Sequence, residues 1–184
     1  MVGWLSVAWA APSPELPCDQ IARRLEAEPL PERPAVPVFW WLEKDPCGNG
    51  RFGGPLPPEG HEVWCVDGLG RRTGRSTMLS RELYVLRETR FTSGREVGPR
   101  IEWNPVTKRA TAWTEYDDDL PHGRAVEWTD TGPLVTWLKK GVKDGPSYKI
   151  DARGRLELVT YFVDGDRSTR TCVWRDEKLA IDSR

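Results

Sequence analysis

Four cysteines, two histidines, a run of three aspartates, a glycine-rich turn and an arginine-rich stretch are the chemistry-bearing residues of this 184-residue chain. Cys18, Cys47, Cys65 and Cys172 contain no C-x-x-C pair, so they lack the spacing of a zinc site or a thioredoxin-like redox centre. His61 and His122 are the only imidazole ligands left. Asp117, Asp118 and Asp119 suit calcium, but the helical calcium loop wants Asp or Asn where Pro121 stands, Gly at His122 and Glu at Trp128. A solvated turn fits them better. Gly68, Gly70 and Gly74 suggest a phosphate loop, yet their spacing matches neither G-x-x-x-x-G-K nor G-x-G-x-x-G, and no helix pattern follows. His122 as a general base has no nucleophile beside it, and there is no G-x-S-x-G elbow. No catalytic residue, metal ligand or cofactor is expected, and the chain reads as non-enzymatic.

Charge gives one further candidate. Between Arg71 and Arg100 stand eight arginines and no lysine, against Glu82, Glu88 and Glu96. Guanidinium groups beside tryptophan suit an anionic partner, which makes Arg71, Arg72, Arg75 and Arg100 a candidate anion-binding flank. The alternative is cross-strand ion pairing on a solvated sheet face. Over the whole chain 27 Lys+Arg balance 28 Asp+Glu, so no bulk attraction to nucleic acid is expected.

The cysteines and the N-terminus point to one compartment. Residues 1–10 are apolar, too short to span a bilayer, and run into Ala8-Trp9-Ala10-Ala11, a small-x-small pattern that reads as a signal peptide with export to the periplasm or cell surface. No Lys or Arg precedes the apolar run, so the true start lies upstream or the segment is only an apolar tail. Pro17 before Cys18 argues against lipidation. An even cysteine count fits an oxidising compartment. Cys47 and Cys65 bracket a segment too rich in Gly and Pro to hold itself, and a crosslink there would contribute about 3 kcal/mol. Cys18 and Cys172 then pair by elimination, although four cysteines allow three connectivities.

These residues must be positioned by an unusual framework, because 17 Gly and 16 Pro exclude a mostly helical chain and 10 Trp outnumber 4 Tyr and 4 Phe. Residues 11–46 read as a short helix and a Pro-rich linker. The helix spans Cys18 to Ala27, with Ile21, Ala22 and Leu25 on one stripe. The linker ends in Val38-Phe39-Trp40-Trp41-Leu42, an apolar run expected to be covered. Residues 47–184 read as a Cys-bracketed leader and then strand pieces in register with one another. Trp113, Trp137 and Tyr161 are spaced 24 and 24; Trp103, Trp128, Ile150 and Trp174 are spaced 25, 22 and 24; Gly74, Gly98, Gly123 and Gly145 are spaced 24, 25 and 22. Gly132 and Gly154 supply further turns. Each unit reads as a β-hairpin, with Val126 and Trp128 on one face and Ala125 and Glu127 on the other. About five copies are expected, stacked because one hairpin cannot bury its own apolar face.

Tyr116, His122-Gly123, Trp128 and Gly132 match, residue by residue, the MORN repeat, and the chain resembles the bacterial MORN-like type labelled a YwqK-type antitoxin component. Asp119 stands where the family usually has Gly, and Lys108 and Lys178 replace the second Gly of their repeats. The resemblance covers about two thirds of the chain and implies an all-β, single-layer sheet of antiparallel hairpins after the short helix. The large surface of such a sheet points to an exported binding or scaffold module whose partner is a protein or cell-envelope component. Two alternatives stand beside it: an antitoxin-like protein that binds a cognate toxin, which the family label implies, and a glycan-binding module that would need the repeat tryptophans exposed.

Overall fold

The computed structural model describes residues 13–175 and 178–183, so the expected signal peptide lies outside the described residues. A helix, α1 (Cys18–Glu26), and a 3-10 turn, Trp40–Leu42, precede thirteen strands. These are β1 (Arg51–Phe52), β2 (Glu62–Val66), β3 (Arg72–Leu79), β4 (Val85–Thr92), β5 (Arg95–Glu96), β6 (Gly98–Trp103), β7 (Ala110–Asp117), β8 (Leu120–Thr129), β9 (Gly132–Lys139), β10 (Val142–Ile150), β11 (Leu156–Val163), β12 (Asp166–Arg175) and β13 (Lys178–Ser183). They form one open antiparallel sheet in chain order, with β5 pairing β4 as the broken start of the β6 strand. The expected fold class holds: sequential hairpins after one short helix.

The hairpins obey one local rule. Glu88 and Ile101, Trp113 and Val126, Val135 and Tyr148, and Val159 and Cys172 are directly opposed pairs, thirteen residues apart every time. Their turns, Ser93-Gly94, Asp118-Asp119, Lys140-Gly141 and Asp164-Gly165, have positive φ at both central residues, the type I′ geometry that matches strand twist. The second turn residue donates its N–H to the preceding hairpin: Gly94 to Arg72 O, Asp119 to Glu96 O, Gly141 to Pro121 O and Gly165 to Lys143 O, at 2.7–3.1 Å. Two residues beyond each of these acceptors stands a glycine at positive φ, namely Gly74, Gly98, Gly123 and Gly145. At Gly98, Gly123 and Gly145 the returning strand bulges, which explains the glycine period. A fifth hairpin, β2 with β3, opposes Val63 and Thr77 fourteen residues apart around a longer loop.

One of the aromatic series is out of step. Trp103, Trp128, Ile150 and Trp174 each lie two residues beyond the opposed core residue of their strand, so they are equivalent. Trp113 itself occupies the core position, whereas Trp137 and Tyr161 lie two residues beyond it, at the slot that Glu115 takes in β7. Each odd strand has two inward positions able to take a large ring, and a count of residue types cannot tell them apart. Glu115 fills its slot because its carboxylate accepts the Arg124 backbone N–H at 2.7 Å.

One face of the sheet is covered by residues 16–47, which run back across it. From Cys18 the segment passes β12, β8, β7, β4, β3 and β2 in turn. Arg170 donates to Leu16 O at 2.8 Å, Arg124 to Pro29 O at 2.9 Å, and Arg33 twice to Ala110 O at 2.8 and 2.6 Å. The Val38 N–H donates to Glu88 at 3.1 Å and the Trp40 indole N–H to Thr77 at 2.8 Å. Disulfides pin both ends, Cys18 to Cys172 and Cys47 to Cys65, as expected. Under this strap lie two cores. Ile21 and Leu25 of α1 pack on Val126, Val135, Tyr148 and Val159, and Trp40 packs on Val63, Leu79, Val85 and Trp103.

The apolar run before the 3-10 turn is covered less than expected. Trp40 is buried, but Val38, Phe39 and Leu42 are exposed, because a segment crossing a sheet at right angles to its strands turns only part of its side chains inward.

Two stability outcomes follow from this arrangement. Replacing Cys18 and Cys172 by Ser is expected to lower the unfolding free energy by about 5 kcal/mol and replacing Cys47 and Cys65 by about 3 kcal/mol, read from urea melts, because the longer loop restricts the unfolded chain more. Gly132→Ala is expected to cost more than Gly154→Ala in the same assay. A Cβ at Gly132 would meet Ile150 O at 2.0 Å, while one at Gly154 meets nothing within 4 Å, and both glycines have positive φ.

Candidate functional site

The arginines of the candidate anion-binding flank all have carboxylate partners inside the molecule. Arg72 forms a bidentate pair with Glu62 at 2.5 and 2.9 Å while lying over the Trp64 ring at 4.8 Å. Arg100 does the same with Glu96 at 2.8 and 2.5 Å, over Tyr116 at 4.0 Å. Arg75 meets Glu43 of the strap at 3.0 Å. All four are ion-paired within the molecule: Arg72 across β2 and β3, Arg75 to the strap, and Arg71 and Arg100 to carboxylates four residues away on their own segment. At Arg72 and Arg100 an anion would have to displace a carboxylate already in bidentate contact.

Arg71 belongs to a loop that occurs twice. In Asp67-Gly-Leu-Gly-Arg71 and Asp151-Ala-Arg-Gly-Arg155 the aspartate accepts two backbone N–H groups and the arginine side chain. Hydrogen bonds from the arginine backbone, then from its guanidinium, hold both aspartates below the usual carboxylate range. Of the glycines that suggested a phosphate loop, Gly68 and Gly70 are part of this turn and Gly74 lies in β3. Gly70 and Gly154 take its left-handed position, at φ +77 and +83.

The other expected anchors are structural. His122 is exposed on β8, and the turn before it is set by Asp118-Asp119 rather than by the imidazole. Asp118 pairs with Arg95, and the Asp119 carboxylate accepts the Glu96 N–H at 2.7 Å, so the acidic run ties two hairpins together. Trp103 is buried. Trp113, Trp128, Trp137 and Trp174 are half-buried against the strap-side core, and Tyr161 is fully buried there. These are not the exposed rings that a glycan-binding face requires.

Among the described residues no segment crosses the opposite face. Along it Thr114, Ala125, Thr136, Ser147, Thr160, Thr171 and Ser183 are opposed one after another across seven strands. A second rank beside them runs Glu127, Leu134, Lys149, Leu158, Val173 and Ile181. The small residues leave a shallow trough, and a concavity of about 620 Å³ lies over Ala112, Thr114, Ala125 and Leu134. On the strap side the cover is incomplete, and a second cavity of about 680 Å³ lies between the end of α1 and the strand ends of β8–β11. Sequence reasoning missed both concavities. The Thr, Ser or Ala that recurs at the same position of each strand from β7 to β13 was the available signal for the first, and no local pattern marks the second.

No protein-family model matches the chain, and no curated protein matches it either. Among the described residues no helix is long and apolar enough to cross a membrane, and no cluster of potential metal ligands is found. Two disulfides are the bonds of an oxidising environment.

The strap also carries a titrating contact. Burial pushes the Glu88 carboxyl up, against the pull of the Val38 N–H, the Trp103 indole N–H and Arg75. A carboxyl raised by folding stabilises the fold fully below its ordinary value of 4.5, and that contribution is lost as pH rises through the raised value. Wild type is therefore expected to lose unfolding free energy relative to Glu88→Gln as pH climbs from 4 to 7 in paired urea melts. A pH-independent difference would refute the assignment.

Proposed function

We propose that this chain is a non-enzymatic, exported binding module of the MORN-like repeat type, acting as a scaffold in the cell envelope. One observation carries the reading: a disulfide-pinned strap occupies one face of a long repeat sheet, and the other face is continuous across β7–β13 with none of the described residues crossing it. Repeat sheets of this kind offer extended surfaces that grow with the number of units. A protein partner, whether an envelope component or a cognate exported toxin, would meet the open face. Leu134, Leu158, Val173 and Ile181, with Lys149 among them, and the small-residue trough beside them supply contact area without a deep pocket. Export supports the same reading, since the crosslinks that hold the strap persist where thiols are oxidised.

Fractionation of the tagged full chain with thiol counting tests the compartment. The expected outcome is an extracytoplasmic protein whose four cysteines react only after reduction. A cytoplasmic protein with four free thiols would overturn the reading. Co-sedimentation of purified protein with isolated envelopes tests the face. Glu127→Lys and Ile181→Glu, on the open face, are expected to weaken binding at least tenfold, while Arg24→Glu and Leu42→Ser, on the strap, leave it unchanged. The reverse pattern would assign the partner to the strap.

A further inference from the structure

Where α1 ends, the strap lifts from the sheet over the cavity of about 680 Å³, a size within the roughly 300–1,000 Å³ of small-molecule sites. Leu25 and Leu30 line it from the strap, and Trp128, Ile150 and Leu156 line it from the sheet. Two polar residues, Glu28 and Tyr148, are also part of its wall. Glu28 is 8% exposed and Tyr148 0%, and neither Glu28 Oε1 nor the Tyr148 hydroxyl has a hydrogen-bond partner. A buried polar atom that makes no hydrogen bond is costly, and here two such atoms belong to residues lining one cavity. Arg124 compensates only Glu28: its Nη1 stands 3.3 Å from Glu28 Oε1 as an ion pair and donates to Pro29 O at 2.9 Å, which leaves the Tyr148 hydroxyl without a partner among the described residues. Burial raises the Tyr148 phenol far above neutrality, so it is an O–H donor, and Glu28 offers an acceptor oxygen.

The charges around the cavity select the ligand. A cationic head would face Arg124 beside Glu28, and Arg33, which lies over the Trp128 ring at 5.6 Å. An anionic head would face Glu28. Asp130 and Arg109 stand at the rim with opposite signs. We propose that this cleft binds a small uncharged molecule whose flat apolar body lies among Leu30, Trp128, Ile150 and Leu156 and whose hydroxyl or amide head bonds Glu28 and Tyr148. The site is independent of the partner proposed for the open face, since the two lie on opposite sides of the sheet.

The test is titration of the purified disulfide-bonded protein with 1-naphthol, followed by tryptophan emission and calorimetry, with 1-methoxynaphthalene as the analogue that has no donor. Saturable binding of one naphthol per chain is expected, with the methoxy analogue at least tenfold weaker. Tyr148→Phe is expected to weaken naphthol at least tenfold without lowering the melting temperature, since it removes only an unpaired hydroxyl. Leu30→Trp, or the smaller Leu30→Phe if the first variant misfolds, is expected to weaken both probes at least tenfold by filling the cavity. No saturable binding up to the solubility limit would overturn the proposal. So would affinities unchanged in the filling variant, or a Tyr148→Phe variant that is destabilised and binds naphthol normally, which is the outcome expected if only water occupies the cleft.

Discussion

A sheet one layer thick has two faces and no second layer to bury either of them, and the rest of this structure is a response to that constraint. Hairpins alone leave the ring of Trp103 and the side chains of Val126, Val135 and Tyr148 open to water on one side. Fully burying one such side chain is worth roughly 1.5–3 kcal/mol, so an uncovered row of them would forfeit most of the available stability. The strap removes this cost by crossing the strands rather than pairing with them. It touches each hairpin through a few contacts: the α1 stripe, Glu28 and Pro29 at Arg124, Arg33 at Ala110, Val38 at Glu88 and Trp40 at Thr77. A covalent bond at each end makes those scattered contacts act together, because the strap cannot peel from one end without breaking the disulfide there.

Stacking of the hairpins is equally local. The thirteen-residue spacing, the type I′ turn and the N–H that reaches back to the previous hairpin repeat four times with different side chains. The unit is therefore specified by backbone conformation, and side chains vary wherever turn and bulge are kept. The connections between hairpins are free to change length, which is why the apparent period varies from 22 to 25 residues. Function-bearing variation is then confined to the open face and to the gap under the strap, the two places where the repeat rule does not dictate a side chain.

Much of this was legible without coordinates. The helix stripe at Ile21, Ala22 and Leu25, the hairpin alternation at Val126 and Trp128, the glycine series and the pairing of Cys47 with Cys65 all rest on interactions within a few tens of residues. What misled were positions where one residue type serves two settings. Trp113 and Trp137 share a ring but not a slot. Arg71 and Arg72 share a charge, yet one closes a turn with Asp67 and the other stacks on Trp64. Val38, Phe39 and Trp40 share an apolar character, yet only Trp40 faces the sheet.

The sequence by itself determined that the chain is a run of hairpins of nearly constant length, preceded by an amphipathic helix and crosslinked, because turn geometry, strand alternation and helix stripe are set by near neighbours. The tertiary structure alone decided which face the strap would cover, which arginines would be consumed by carboxylates, and that Glu28 would come to lie beside Arg124 and Tyr148. The meetings of Glu28 join residues about a hundred positions apart, and they and the path of the strap depend on the accumulated twist and width of the whole sheet, which no local pattern encodes.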